Sequence, residues 1–135
     1  MLELVAQVLV YSLVGLLVLG VGFFVLDLLT PGHLAQLVVD GNRNAALLSA
    51  SGLVSLGLIQ YYAIHYTGAG WDGVDDALVF GAIGVLTQAV GFFALGSLLR
   101  GVHRSSFETR ELQPWAWVLA AVHVAFALVV CASLT

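Results

Sequence analysis

Four apolar runs constrain this chain more than any other feature. They cover roughly Val5 to Leu29, Ala45 to Ile64, Ala77 to Leu99 and Trp115 to Leu134. A helix needs about 20 apolar residues to cross the hydrocarbon core of a bilayer. Within that core every backbone amide must be satisfied internally, so separate runs of this length span as α-helices. Of the 135 residues, 61% are hydrophobic and 9% are charged, against about 25% charged in a soluble domain. That is too little charge to coat a water-facing surface, so the surface faces lipid. The expectation is an all-α membrane protein: four transmembrane helices in a single transmembrane domain over residues 1–135, with no soluble domain.

Charge placement gives an orientation. Lysine is absent. Arg43 lies between the first and second runs, and Arg100, Arg104 and Arg110 lie between the third and fourth. The positive-inside rule puts both arginine loops in the cytoplasm. The central loop, with Trp71, Asp72, Asp75 and Asp76, and both termini then lie outside. Trp71, Trp115, Trp117, Tyr61, Tyr62 and Tyr66 fall near the expected interfaces, as an aromatic belt does. A bacterial inner membrane is the expected location. Glu3 stands where the positive region of a signal peptide belongs, and the apolar run is too long for one, so no cleaved leader is expected. The formal net charge is −4, which disfavours nucleic acid as a partner. Cys131 is the sole cysteine, so no internal disulfide and no zinc pattern is possible.

An internal repeat is visible. LVYSLVGLLVLGVGFFVLDLL, Leu9 to Leu29, aligns without gaps on LVFGAIGVLTQAVGFFALGSL, Leu78 to Leu98. VGFF is shared, Gly15 falls on Gly84 and Gly22 on Gly91. Each copy is one helix hairpin, about 5–66 and about 75–135. Two crossings separate the copies, so the hairpins point the same way, as parallel repeats about an axis along the membrane normal. Gly15, Gly22, Gly84 and Gly91, with Gly52, are expected at seams where helix backbones approach closely. Ala45 with Ser49, Ala46 with Ala50, and Ser51 with Ser55 extend that small-residue pattern along the second helix.

The loop after the first run has its own pattern. Thr30-Pro31 reads as a helix start, with Thr30 as cap. Leu34, Leu37 and Val38 share a stripe, and Asp40-Gly41 ends the segment. The expectation is a short amphipathic helix in the cytoplasmic interface, with Asn42 or Asn44 capping the second span.

The stretch TPGHLAQLVVDGNRNAALLSASGLVSLGLI, Thr30 to Ile59, resembles the bacterial family called domain of unknown function 350, or uncharacterised protein family 0719. The matching features are Thr30-Pro31, Gln36-Leu37, Asn42, Asn44-Ala45-Ala46 and Gly52. The resemblance implies a small four-helix inner-membrane protein and carries no established activity. Gln113-Pro114-Trp115 in the second repeat departs from the Asn-Ala-Ala turn. Any role for that turn is confined to the first repeat.

Polar groups inside a membrane are costly and are where function is sought first. Asp27, near the end of the first span, reads as a cation or proton site, or else as a partner of Arg43. Gln88 and His123 lie midway along the third and fourth spans, at matching depth for a hydrogen bond. They read as structural glue or as a proton relay. Ser51 and Ser55, with Ser49, read as packing residues bonded to preceding carbonyls or as a polar track. His33, Asp40, Asn42, Arg43 and Asn44 form a candidate partner surface on the cytoplasmic loop. Asp72, Asp75 and Asp76 are an outer acidic run, solvated or weakly attracting cations. No catalytic motif is present, and His65 and His103 fall on opposite sides, too far apart to share a metal. The expectation is therefore no enzyme, no cofactor and no metal. The favoured function is a structural or accessory component in the lipid bilayer that forms homo-oligomers or binds a membrane or cytoplasmic protein partner. The alternative is an oligomeric ion or proton channel, or small-solute transporter, using Asp27, Gln88 and His123.

Overall fold

The only prolines, Pro31 and Pro114, lie outside the apolar runs, so no helix interior has to accommodate one. The structure, a computed structural model, describes residues 1–66, 70–98 and 104–135, without the side chains of Leu98, Arg104 and Ser105. Arg100, His103 and the Leu99 end of the third run lie outside the described residues. The helices are α1 (Leu2–Leu29), α2 (Leu34–Val39), α3 (Arg43–Tyr66), α4 (Gly73–Leu98) and α5 (Pro114–Ser133). Among the described residues, α1, α3, α4 and α5 are long and apolar enough to cross a membrane. Each starts within a few residues of its expected limit, and α1, α3 and α5 end within a few residues of theirs.

The loop between α1 and α3 corrects one expectation. Thr30-Pro31 closes α1 and does not open α2. Thr30 is extended, with φ −91° and ψ 124°, because the ring of a following proline excludes the α region. Its hydroxyl reaches back one turn and donates to Leu26 O at 2.8 Å. The chain then turns through Gly32 and His33, both with positive φ. α2 ends as a Schellman motif. Gly41, at φ +82°, is the left-handed residue, and the N–H groups of Gly41 and Asn42 reach Val38 O and Leu37 O at 3.0 and 2.9 Å. Of the expected stripe, Leu34 is buried, Leu37 is half-buried and Val38 is exposed. Asn42 caps α3, its Oδ1 accepting from Asn44 N and Ala45 N at 3.0 and 3.1 Å. Pro114 opens α5 after an extended Gln113, a position where its missing N–H costs nothing.

α3 and α4 pack on each other, and α1 and α5 flank that pair on opposite sides. The flanks are unequal. Within the apolar window of each helix, 17% of α1 is buried against 33% of α5. α1 therefore leans on the bundle through one stripe, Val14, Val18, Gly22 and Leu26. Glycines make the close approaches. A Cβ on Gly22 would strike Leu56, one on Gly52 would meet Leu26 Cδ1 at 2.6 Å, and one on Gly84 would meet Ile59 Cγ2 at 2.7 Å. Gly91 lies against the Phe126 ring. Gly15 is different: its nearest neighbour would be Gln60 Cγ at 3.9 Å, an ordinary contact. Both ends of the bundle are tied. Arg43 N–H donates to Arg110 O at 3.1 Å, so these two arginines sit at one end. At the other end Tyr11 donates to Gly70 O at 2.7 Å.

Candidate functional site in the bundle interior

The spacing of Asn44, Ser51 and Ser55 along α3 puts them on one helical face. That face meets α5. Ser51 Oγ lies 2.9 Å from His123 Nδ1 and 3.0 Å from Leu48 O. A hydroxyl has one proton, and a carbonyl can only accept. With that proton on Leu48 O, Ser51 is the acceptor and His123 Nδ1 the donor, which leaves Nε2 as an acceptor. The His123 ring stacks on Phe92, with centroids 5.6 Å apart. Gly52 lies beside the ring, and a Cβ there would rest at 3.7 Å from Nδ1, an ordinary contact.

Gln88 joins from α4. Its Nε2 donates to the His123 backbone carbonyl at 2.9 Å. The sequence suggested a bond across the α4–α5 pair at this depth, and the structure places it on the carbonyl of His123, not on its ring. Ser55 is 0% exposed, Gln88 1% and His123 1%. Three atoms of this layer, Ser55 Oγ, Gln88 Oε1 and His123 Nε2, have no hydrogen-bond partner. Ser49 Oγ and Gln60 Oε1 are in the same state elsewhere on α3. Gln60 is a residue that sequence reasoning missed. It is buried, and its amide donates to Ala77 O at 3.3 Å. A glutamine inside an apolar run was the available signal.

Asp27 takes no part in this cluster. Its Oδ1 accepts from Ala35 N at 2.8 Å, in the first turn of α2, and its Oδ2 lies 3.3 Å from His33 Nδ1. The carboxylate thus fixes the start of α2, and its partner is His33 instead of Arg43. The loop set is corrected too. Asn42 and Asn44 are buried and occupied by the segment before α5. Asn42 Nδ2 donates to Phe107 O at 2.6 Å. Asn44 Nδ2 donates to Glu111 O and Thr109 O at 2.9 and 3.2 Å, and Asn44 Oδ1 accepts from Gln113 N at 2.7 Å. What remains exposed of that set is His33, Asp40 and Arg43. Among the described residues no group of His, Cys, Asp and Glu is arranged to hold a metal ion.

Outside the bundle, an apolar groove of about 620 Å³ runs between α3 and α5. Ala50, Ser51, Val54, Ala121, Val124 and Ala125 are among its walls. A smaller one, about 390 Å³, lies between α1 and α4 beside Leu17, Val21, Ala82 and Leu86.

Comparison with known proteins places the chain. Residues 1–134 match the family described as Domain of Unknown Function (DUF350). The chain is 33% identical over 128 residues to a UPF0719 transmembrane protein of Mycolicibacterium paratuberculosis, covering 93% of this chain and 84% of the relative. It is 33% identical over 133 residues to a UPF0719 transmembrane protein of Mycobacterium bovis, covering 97% and 88%. No solved structure matches. The chain belongs to the DUF350 family, a family of uncharacterised transmembrane proteins.

Proposed function

We propose that this transmembrane protein is a non-enzymatic structural component that self-associates in the bilayer, α1 of one copy lying in the α3–α5 groove of the next. One complementarity carries the reading. The groove has a floor of small residues, Ala50, Ser51, Ala120, Ala121 and Ala125, rimmed by larger ones such as Leu47, Trp117 and Leu128. The outward face of α1 is a ridge of large ones: Leu9, Leu13, Leu16, Leu17 and Phe24 are each 58–67% exposed. In lipid, helices associate where small residues allow close approach. Ser51, the one polar residue of the groove wall, is already engaged with His123, so an apolar helix suits the groove better than a polar solute. α1 and α5 flank opposite sides of the bundle, so the contact is heterologous and forms a ring where the rotation closes.

The proposed orientation keeps both arginine loops in the cytoplasm and both termini outside, in a bacterial inner membrane. Its support is that Arg43 and Arg110 meet at one end. An ion channel along Asp27, Gln88 and His123 is the lesser reading, because the Asp27 carboxylate is engaged with α2 and His33.

Disulfide trapping in membranes tests the proposal. In a Cys131→Ser background, Leu17→Cys on one copy and Ala121→Cys on a second are co-expressed and oxidised. A crosslinked dimer, abolished when Ala125→Trp fills the groove, is the expected result. A monomer in native-lipid nanodiscs with no crosslink, or a crosslink to a different protein, would overturn it.

A further inference from the structure

We propose that Ser55, Gln88 and His123 form a binding site for one water molecule in the interior of the bundle, held against the free ring nitrogen of His123. The inference is independent of self-association. His123 lies midway along α5 (Pro114–Ser133), about as far from water as this chain allows. Three helices each leave one polar atom unmet there: Ser55 Oγ on α3, Gln88 Oε1 on α4 and His123 Nε2 on α5. The contacts bring them to adjoining levels of the bundle. Ser51 touches His123, and Ser55 is one turn, about 5.4 Å, further along α3. Gln88 is bonded to the carbonyl of the same histidine, and α-helical carbonyls point along the chain, toward the Ser55 level.

The valences do not close within the cluster. Gln88 Oε1 accepts only. With the Ser51 proton on Leu48 O, the ring hydrogen is assigned to Nδ1 and His123 Nε2 also accepts. Ser55 supplies a single donor for these two acceptors. Turning the Gln88 amide over would set its oxygen against the His123 carbonyl, acceptor to acceptor. One water closes the account: it donates to His123 Nε2 and to Gln88 Oε1, and it accepts the Ser55 O–H. Three partners is the usual number for a buried water. Polar atoms left bare in an apolar interior are unfavourable. The imidazole is then a hydrated base and not a sealed packing group.

Solid-state NMR of histidine-labelled protein in lipid bilayers tests this, with the His123 signals assigned by their loss in His123→Phe. The expected spectrum shows the Nδ1–H tautomer and polarisation transfer from water to the His123 ring well above that to the Leu48 methyls. Ser55→Ala combined with Gln88→Leu should reduce the transfer to the methyl level, and Ser55→Thr, which keeps the hydroxyl, should retain it. An Nε2–H tautomer, no transfer above the methyl level in the wild type, or transfer undiminished in a folded double variant would each overturn the site. The wild-type spectrum decides alone if the double variant does not fold.

Discussion

Two buried polar clusters in this protein are made of similar side chains and end in opposite states. At the arginine-bearing end, Asn42 and Asn44 use every side-chain oxygen and nitrogen. They cap α3 and clasp the segment before α5 through Phe107 O, Thr109 O, Glu111 O and Gln113 N. Midway through the bundle, Ser55, Gln88 and His123 are as deeply buried, yet each keeps an atom without a partner. Burial does not distinguish the two clusters; satisfaction does. A closed network rigidifies and specifies a fold, whereas each unmet buried group asks for a separate account.

That contrast predicts unequal costs. Asn44→Ala should have the largest effect. It strips a donor from two carbonyls and an acceptor from the Gln113 amide. At roughly 1–3 kcal/mol for a buried group left unmet, discounted for water near the helix ends, about 3 kcal/mol of stability is lost. Reversible unfolding in bicelles measures it, and a loss under about 1 kcal/mol would mean that the clasp is not structural. Next comes packing. Gly84→Ala presses a methyl into Ile59 and should cost about 1–2 kcal/mol. Its repeat counterpart Gly15→Ala has open contact and should stay within about 0.5 kcal/mol. Equal costs at both positions would show that the two glycines are equivalent after all.

The glycine pair also shows what the sequence could and could not reveal. Apolar length and arginine placement are local signals, and the four spans were legible from them to within a few residues. Partner choice is not local. Asp27 was legible as a charge near the end of a span, but its bonds to His33 and Ala35 depend on how the chain folds back after Pro31. Thr30-Pro31 fits a helix start in pattern, but the fold uses it as a stop. Asn42 and Asn44 bond residues 65 or more positions away, and no spacing rule reaches that far. Gly15 and Gly84 occupy matching places in the repeat and both face α3, yet a Cβ at Gly84 would overlap Ile59 whereas one at Gly15 would rest 3.9 Å from Gln60, a difference of spacing that the repeat does not encode.

The remaining predictions concern the open cluster. Ser51→Ala removes the acceptor of His123 Nδ1 and should cost only about 0.6 kcal/mol, the average for side-chain bonds within a membrane bundle. Gln88→Leu decides between the two accounts of its oxygen. It loses the bond to the His123 carbonyl and an acceptor that no protein group meets. With a water on Oε1 both bonds are lost, and a small loss within about 1 kcal/mol follows. With Oε1 bare, removing an unmet acceptor offsets the lost bond, and the variant is as stable as the wild type or more so. A loss as large as that of Asn44→Ala would make Gln88 part of the architecture and erase the contrast between the clusters. A gain in stability would count against the water and leave the glutamine oxygen unmet in the folded bundle.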